Sequence, residues 1–243
     1  MLPERLKCAA RVRFDSAVAR LNAWSFQYLQ GDRPARLARL RMPNALLLPR
    51  IFIDPGNLAY KCNIRGGDEG QSMLFLAGDW DLKRKGFGDV DAKDPRYVTC
   101  RQLVREGAAL EETDEYRELM LRLEKNGVAR SFRSEKEILG YLEKLRQFYL
   151  RVQTDGRLKT QEELGLAAHG GEINCALGRD GVLLKTNDGN HRLAIARVLG
   201  LTSVPIQISV IHSSLIPEVG RLDEASGIVS VNHFFRRVEQ AYS

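Results

Sequence analysis

The spacing of apolar residues changes along the chain, and each period predicts a different element. Between residues 134 and 152, leucine, isoleucine and tyrosine recur at helical spacing behind Ser-Glu-Lys-Glu, which predicts a capped helix with those side chains in the core. A second helix is predicted between Thr113, an N-cap residue near several acids, and Gly127. Short apolar or alternating runs predict strands at 46–53, 73–77, 172–177, 182–185 and 204–210.

The centre of this pattern is a unit of strand, tight turn, helix and strand. Residues 181–185 lead into the turn Asp-Gly-Asn-His-Arg at 188–192, and a helix is predicted from there to Gly200. The first N–H groups of a helix have no internal partner and carry partial positive charge. Glycine lets another group approach the backbone, and histidine and arginine add donors for phosphate oxygens. The turn therefore predicts an anion site, with Asp188 either a base at its edge or an N-cap.

A family resemblance rests on this turn. Residues 172–211 resemble the signature of the ParB/sulfiredoxin superfamily, which is a Gly-x-His-Arg turn, a helix, a glycine and a Val/Ile-Pro strand. That superfamily includes chromosome-partition proteins, sulfiredoxins and a free-serine kinase that uses ADP, and the form Asp-Gly-x-His-Arg is most similar to the kinase. The resemblance implies an α/β (α+β) fold with a small mixed sheet and helices. We expect residues 46–243 to form this nucleotide-binding domain and residues 1–45 to be a basic helical extension.

The resemblance also implies roles for individual residues. Asp188 would be catalytic and would orient or deprotonate the acceptor hydroxyl. Glu111 or Glu112 would correspond to the kinase's catalytic glutamate, which precedes the helix after the first core strand. Acids that merely stabilise the start of a helix are the other interpretation of this pair. The residues that would bind the nucleotide phosphates are Gly189, Asn190, His191, Arg192 and Lys185.

A pair of acids offers a candidate metal site. Asp79 and Asp81 flank Trp80 directly after the predicted strand at 73–77. Carboxylate oxygens are the ligands that Mg²⁺ prefers, so the pair predicts either a magnesium site or contact with substrate. A turn in which aspartate forms the cap is the alternative.

Three uses of the turn compete. A sulfiredoxin-like reductase is disfavoured, because Asn190 stands where that branch has its catalytic cysteine. A ParB-like DNA-binding protein or nuclease that uses a nucleotide as ligand would need a DNA-reading module, and only about 30 residues follow the last core strand. We therefore expect a phosphotransferase that uses ATP or ADP with Mg²⁺, and CTP is not distinguished. Its acceptor would be a small hydroxyl compound such as an amino acid, sugar or polyol.

The distribution of charge and the number of cysteines limit the classes of partner that the chain can have. The net charge of +6 is concentrated in residues 1–50, where ten Arg or Lys face three Asp or Glu. This basic segment is either a patch that binds nucleic acid or an acidic partner or, as we favour, the solvated face of a packing helix. The four cysteines form no CxxC pair, and no apolar run is long enough for a membrane span. We expect no membrane span and a cytoplasmic protein.

Overall fold

The structure is a computed structural model. It describes residues 40–41, 50–64, 74–88, 93–161, 163–164, 171–215, 218 and 229–243. Within the predicted helical N-terminal extension at 1–45, residues 40–41 form a strand that pairs with residues 74–75. The rest of the extension lies outside the described residues, so its helical character stays a prediction.

A mixed sheet organises the described residues. Its strands run in the order β1-β4-β8-β6-β7-β3-β5, and β2 pairs with β8 outside this path. This confirms the predicted mixed α/β class, whereas a ParB/sulfiredoxin-like core stays a prediction. The strands are β1 Leu40–Arg41, β2 Arg50–Ile53, β3 Tyr60–Lys61, β4 Leu74–Leu76, β5 Lys85–Gly86, β6 Ile173–Leu177, β7 Leu183–Lys185 and β8 Val204–His212.

The longest strand, β8, is the centre of the sheet. Its first half pairs antiparallel with β2 and its last residues pair parallel with β4, while β6 runs parallel along its other edge. Most of β8 is buried, including the polar residues Gln207 and His212, so the alternating pattern of its sequence does not mark a solvent-exposed face. The sheet therefore brings the starts of β6 and β8 to one end and presents β7, which precedes the turn, beside β6.

Five α-helices complete the described structure. They are α1 Pro95–Arg101, α2 Asp114–Asn126, α3 Glu135–Asp155, α4 Asn190–Leu199 and α5 Val229–Tyr242, and a π turn at Gln102–Glu106 extends α1. The local signals for α2 and α3 are confirmed: the hydroxyls of Thr113 and Ser134 accept bonds from N–H groups in the first turn. Both helices end at a left-handed glycine.

The helices that carry the candidate site are held by one core. Buried leucines and isoleucines of α2, α3, α4 and the sheet form a single cluster, and α1 lies against α4. The last helix, α5, is fixed to β2, because Phe52 N donates to Glu239 Oε1 at 2.7 Å and Asp54 N donates to Tyr242 O at 2.8 Å. None of the described helices combines the length and apolarity that a membrane crossing needs.

Candidate functional site

The turn between β7 and α4 depends on a glycine. Gly189 is the N-cap residue of α4 and has φ of 75°, in the left-handed region. A Cβ at this position would lie 2.3 Å from Glu172 O and 2.6 Å from Ile173 Cα. The close approach that the sequence predicts at Gly189 is therefore made by the start of β6, from the same chain.

Lys185 supports the turn from the inside. Its side chain is fully buried, and Nζ donates to Thr186 O at 2.7 Å and also to Asp188 O. Burial lowers the pKa of Lys185 to about 8. Asn190 is also turned inward: Nδ2 donates to Asn187 O at 2.7 Å, and its buried Oδ1 has no hydrogen-bond partner in the described structure.

Arg192 forms a buried ion pair. Its guanidinium lies 3.2 Å from Glu172 Oε2 and also donates to Lys159 O. The other carboxylate oxygen of Glu172 accepts from Gln161 N at 2.8 Å and lies 3.6 Å from Arg50. Burial lowers the pKa of Arg192. The arginine that the sequence assigns to phosphate thus holds the first turn of α4 against the segment before β6.

His191 is held between two tyrosines. Tyr141 Oη lies 2.8 Å from Nε2, Tyr149 Oη lies 2.8 Å from Nδ1, and Glu115 Oε1 is 3.4 Å from Nε2. Glu115 is fully buried and also receives Arg130 Nη2 at 2.7 Å. Burial alone would raise the pKa of Glu115, but the nearby His191 and Arg130 hold the pKa below its ordinary value.

Asp188 is placed differently from the rest of the turn. Its side chain is exposed, and one carboxylate oxygen accepts from Asn174 Nδ2 at a long 3.4 Å. Because Gly189 occupies the N-cap position, Asp188 is not the cap of α4. A carboxylate thus faces solvent at the start of a helix without a capping role.

Two cations that the sequence does not single out, Lys61 and Arg96, lie near the turn. Strands β3 and β7 pair in register with Lys61 opposite Lys185. Lys61 Nζ lies 3.7 Å from Asp94 Oδ2, and Arg96 makes two bonds to the same carboxylate, at 2.8 and 2.9 Å. After burial, the positive charges of Lys61 and Arg96 also help to lower the pKa of Lys185. The two cations share the single carboxylate of Asp94.

The predicted glutamates are not brought to the site, but their neighbour is. Glu111 and Glu112 are exposed, and Glu112 accepts from Ala109 N at 3.2 Å in a local cap. Glu115, just inside α2, is the glutamate that contacts His191. Its signal in the sequence is weak, because one acid among several at a helix start is ordinary.

The predicted metal ligands contact a cation from their own chain. Asp81 is buried, and both its oxygens receive the side chain of Arg179 at 2.9 to 3.1 Å. Asp79 lies 2.7 Å from the same guanidinium. Within the described ranges, no group of three or more His, Cys, Asp or Glu is arranged to hold a metal ion. The assignment of this pair to Mg²⁺ stays a prediction, and in this structure both carboxylates contact Arg179.

Comparison with known proteins gives no relative: no family model, curated protein or solved structure matches this chain. The resemblance to the ParB/sulfiredoxin superfamily therefore stays a prediction that rests on the signature residues.

Proposed function

We propose that this chain is a phosphotransferase that binds ATP or ADP at the Asp188–Arg192 turn and moves a phosphoryl group to a small hydroxyl compound. The observation that carries the proposal is the exposed, non-capping carboxylate of Asp188, which closely follows Lys185, the residue that pairs in register with Lys61. Lys61 and Arg96 share a single acid, Asp94. Phosphoryl transfer requires bound phosphates, neutralised charge and an oriented hydroxyl more than it requires covalent chemistry from the protein. A solvent-facing base together with these cations supplies these elements.

The phosphates would be held mainly by groups other than the side chains of His191 and Arg192. Leu193 N donates to Gly189 O in the first bond of the α4 ladder, so the N–H groups of residues 190–192 precede the ladder. Those N–H groups, with Lys61 and Arg96, would contact phosphate oxygens. Mg²⁺ would bind together with the nucleotide, as the ion that its phosphates coordinate.

Asp188 would then act on the acceptor. An exposed carboxylate beside the phosphate groups can accept a proton from a substrate hydroxyl, or orient it for attack. The acceptor classes that suit this role are amino acids, sugars and polyols, because all present a hydroxyl on a small polar molecule.

Calorimetric titration with nucleotides tests whether the phosphates bind at the Asp188–Arg192 turn beside Lys61 and Arg96. We expect ATP or ADP to bind the wild-type chain in the presence of Mg²⁺, and CTP should be included in the comparison. Lys61→Ala and Arg96→Ala should each weaken binding about tenfold or more, because a charge-assisted hydrogen bond contributes roughly 1.5–3 kcal/mol. Arg122→Ala is the matched control, since Arg122 pairs with Glu118 on the outer side of α2.

Each outcome decides a separate point. If the wild-type chain binds none of these nucleotides, the proposed function is wrong. If a nucleotide binds but its affinity is the same in Lys61→Ala and Arg96→Ala, the function stands and the placement is wrong. Sequence-specific DNA binding without phosphate transfer would favour the DNA-binding alternative, whose candidate surface in the basic N-terminal segment lies mostly outside the described residues.

A further inference from the structure

The hydrogen atoms around His191 can be assigned because each neighbour has a limited set of donors and acceptors. The guanidinium of Arg130 can only donate, and an ionised carboxylate can only accept. Glu115 lies 2.7 Å from the permanently charged guanidinium of Arg130, and this ion pair keeps the carboxylate ionised at neutral pH. The two ends of the network are therefore fixed.

Tyr141 connects these ends to the histidine. Its hydroxyl lies 3.1 Å from Glu115 Oε1, 3.0 Å from Arg130 Nη1 and 2.8 Å from His191 Nε2. We assign the single hydroxyl hydrogen to the contact with Glu115, because an ionised carboxylate is a stronger acceptor than an imidazole nitrogen and two oxygens at 3.1 Å without a hydrogen between them would repel each other. Arg130 donates to the tyrosine oxygen. The contact with His191 is then satisfied only if Nε2 carries a hydrogen and donates it to the same oxygen.

The other ring nitrogen completes the assignment. Nδ1 of His191 lies 2.8 Å from the hydroxyl of Tyr149, a residue that is fully buried. When the ring is uncharged and Nε2 holds its hydrogen, Nδ1 is an acceptor and Tyr149 donates to it. Each hydrogen-bonding contact of the ring then joins one donor to one acceptor.

We propose that Glu115, acting through Tyr141, fixes His191 as the Nε2–H tautomer, and that this network positions the turn that carries Asp188. In this arrangement Glu115, Tyr141 and Tyr149 are positioning residues, which act through His191 and do not touch substrate. The assignment of the tautomer is independent of the proposed function, and only its effect on turnover rests on that function.

The network joins the turn to three other parts of the fold. Glu115 belongs to α2, the tyrosines belong to α3, and Arg130 lies in the connection between these helices. Arg130 has φ of 55°, a left-handed conformation that a residue with a side chain keeps only where its surroundings hold it. Its guanidinium is about one-third exposed. Both nitrogens of His191 are occupied, so the ring fixes α4 in place and is not free to bind phosphate.

The test is a long-range proton–nitrogen NMR correlation on the ligand-free protein. It distinguishes a ring nitrogen that carries hydrogen from one that does not. The chain has four histidines, and His191→Asn identifies the signals of interest by their loss. At a pH where the ring is uncharged, the wild-type protein should show hydrogen on Nε2. Hydrogen on Nδ1 in the wild type overturns the proposal whether or not any variant folds.

Three variants test the role of the carboxylate. Glu115→Leu removes the acceptor, so the hydroxyl hydrogen of Tyr141 can turn to Nε2, and we expect the ring hydrogen to move wholly or partly to Nδ1. Glu115→Gln keeps an acceptor oxygen and should keep the wild-type tautomer. Glu118→Leu, a glutamate of the same helix that pairs with Arg122, should leave the ring signals unchanged. A natively folded Glu115→Leu protein that keeps hydrogen on Nε2 would overturn the role of Glu115.

Turnover separates this inference from the proposed function. We expect Glu115→Leu to reduce phosphate transfer about tenfold or more, as one misplaced group can in an active site, while Glu115→Gln retains most of it. Wild-type turnover in Glu115→Leu, with the tautomer changed, would overturn the positioning role. If the wild-type protein transfers no phosphate but shows the expected tautomers, the proposed function fails and the tautomer assignment stands.

Discussion

Replacement of Gly189 by alanine should be among the most damaging single changes in this chain. Two separate constraints meet at this residue: its φ of 75° is unfavourable for any side chain, and a Cβ would lie 2.3 Å from Glu172 O. Gly200, at the other end of the same helix, has only the first constraint. Its φ is 68°, and a Cβ there would meet nothing within 4 Å. The two substitutions therefore separate the cost of the close approach from the cost of the backbone conformation.

The magnitudes follow from this geometry. An alanine in the left-handed region costs roughly 1–2 kcal/mol, which is all we expect for Gly200→Ala. At Gly189, the contacted atoms belong to the backbone of Glu172 and Ile173, which cannot move aside as a flexible side chain could. Overpacking of this kind adds roughly 1–3 kcal/mol, so the free energy of unfolding should fall by about 2–5 kcal/mol. For a domain of this size, 1 kcal/mol corresponds to roughly 2–4 °C in Tm.

Thermal unfolding followed by circular dichroism measures both variants against the wild type. We expect Tm to fall by about 4–20 °C in Gly189→Ala and by about 2–8 °C in Gly200→Ala, with the larger fall in Gly189→Ala. Urea unfolding at one temperature should give the same order for the free energy of unfolding. Equal shifts in the two variants would refute the argument, because they would mean that the approach of β6 to the turn is looser than the structure shows.

Two further predictions concern the charged residues of the turn. Asp188→Asn should leave Tm within about 2 °C of the wild type, since Asp188 is exposed and does not cap α4. Transfer of phosphate to a panel of amino acids, sugars and polyols should fall by roughly 10²–10⁴, as for a lost general base. Normal turnover in this variant would refute the catalytic role. The pKa of Lys185 is lowered from 10.5 to about 8, so between these pH values the unfolded chain holds a proton that the folded chain has lost. The free energy of unfolding therefore rises with pH across this range, by on the order of 3 kcal/mol. Lys185→Met should lack that rise when urea unfolding is compared below pH 8 and near pH 10, and parallel pH profiles would contradict the assignment.

The parts of the fold that sequence predicts are those specified by neighbouring residues. Helices α2 and α3 are bounded by a hydroxyl cap at one end and a glycine at the other, and both signals lie within a few residues of the helix they bound. The unit from β7 through α4 to β8 was predicted for the same reason. The pairing of β8 with β2, β4 and β6 depends on contacts between distant segments, which hydrophobic period alone does not specify.

The sequence singles out the turn at 188–192 but does not specify which groups its side chains contact. His191 and Arg192 were assigned to phosphate because their side chains donate hydrogen bonds, yet a donor does not specify which acceptor it meets. The tyrosines of α3 and the carboxylate of Glu172 satisfy them from within the chain. Glu115 lies 76 positions before His191 in sequence, and nothing local indicates their contact. Lys61 is likewise placed by strand register alone.

The contacts divide the turn into an inner and an outer part. Gly189 fits against β6, Arg192 pairs with Glu172, and His191 is held by two tyrosines, so these residues fix where the first turn of α4 lies. Asp188 contributes little to that arrangement through its side chain, whose bond to Asn174 is long and exposed. Asp188 does not cap α4 either, because Gly189 occupies the N-cap position. The rigid inner contacts would hold this exposed carboxylate in a fixed position, and the proposed phosphoryl transfer needs a group that is oriented in this way.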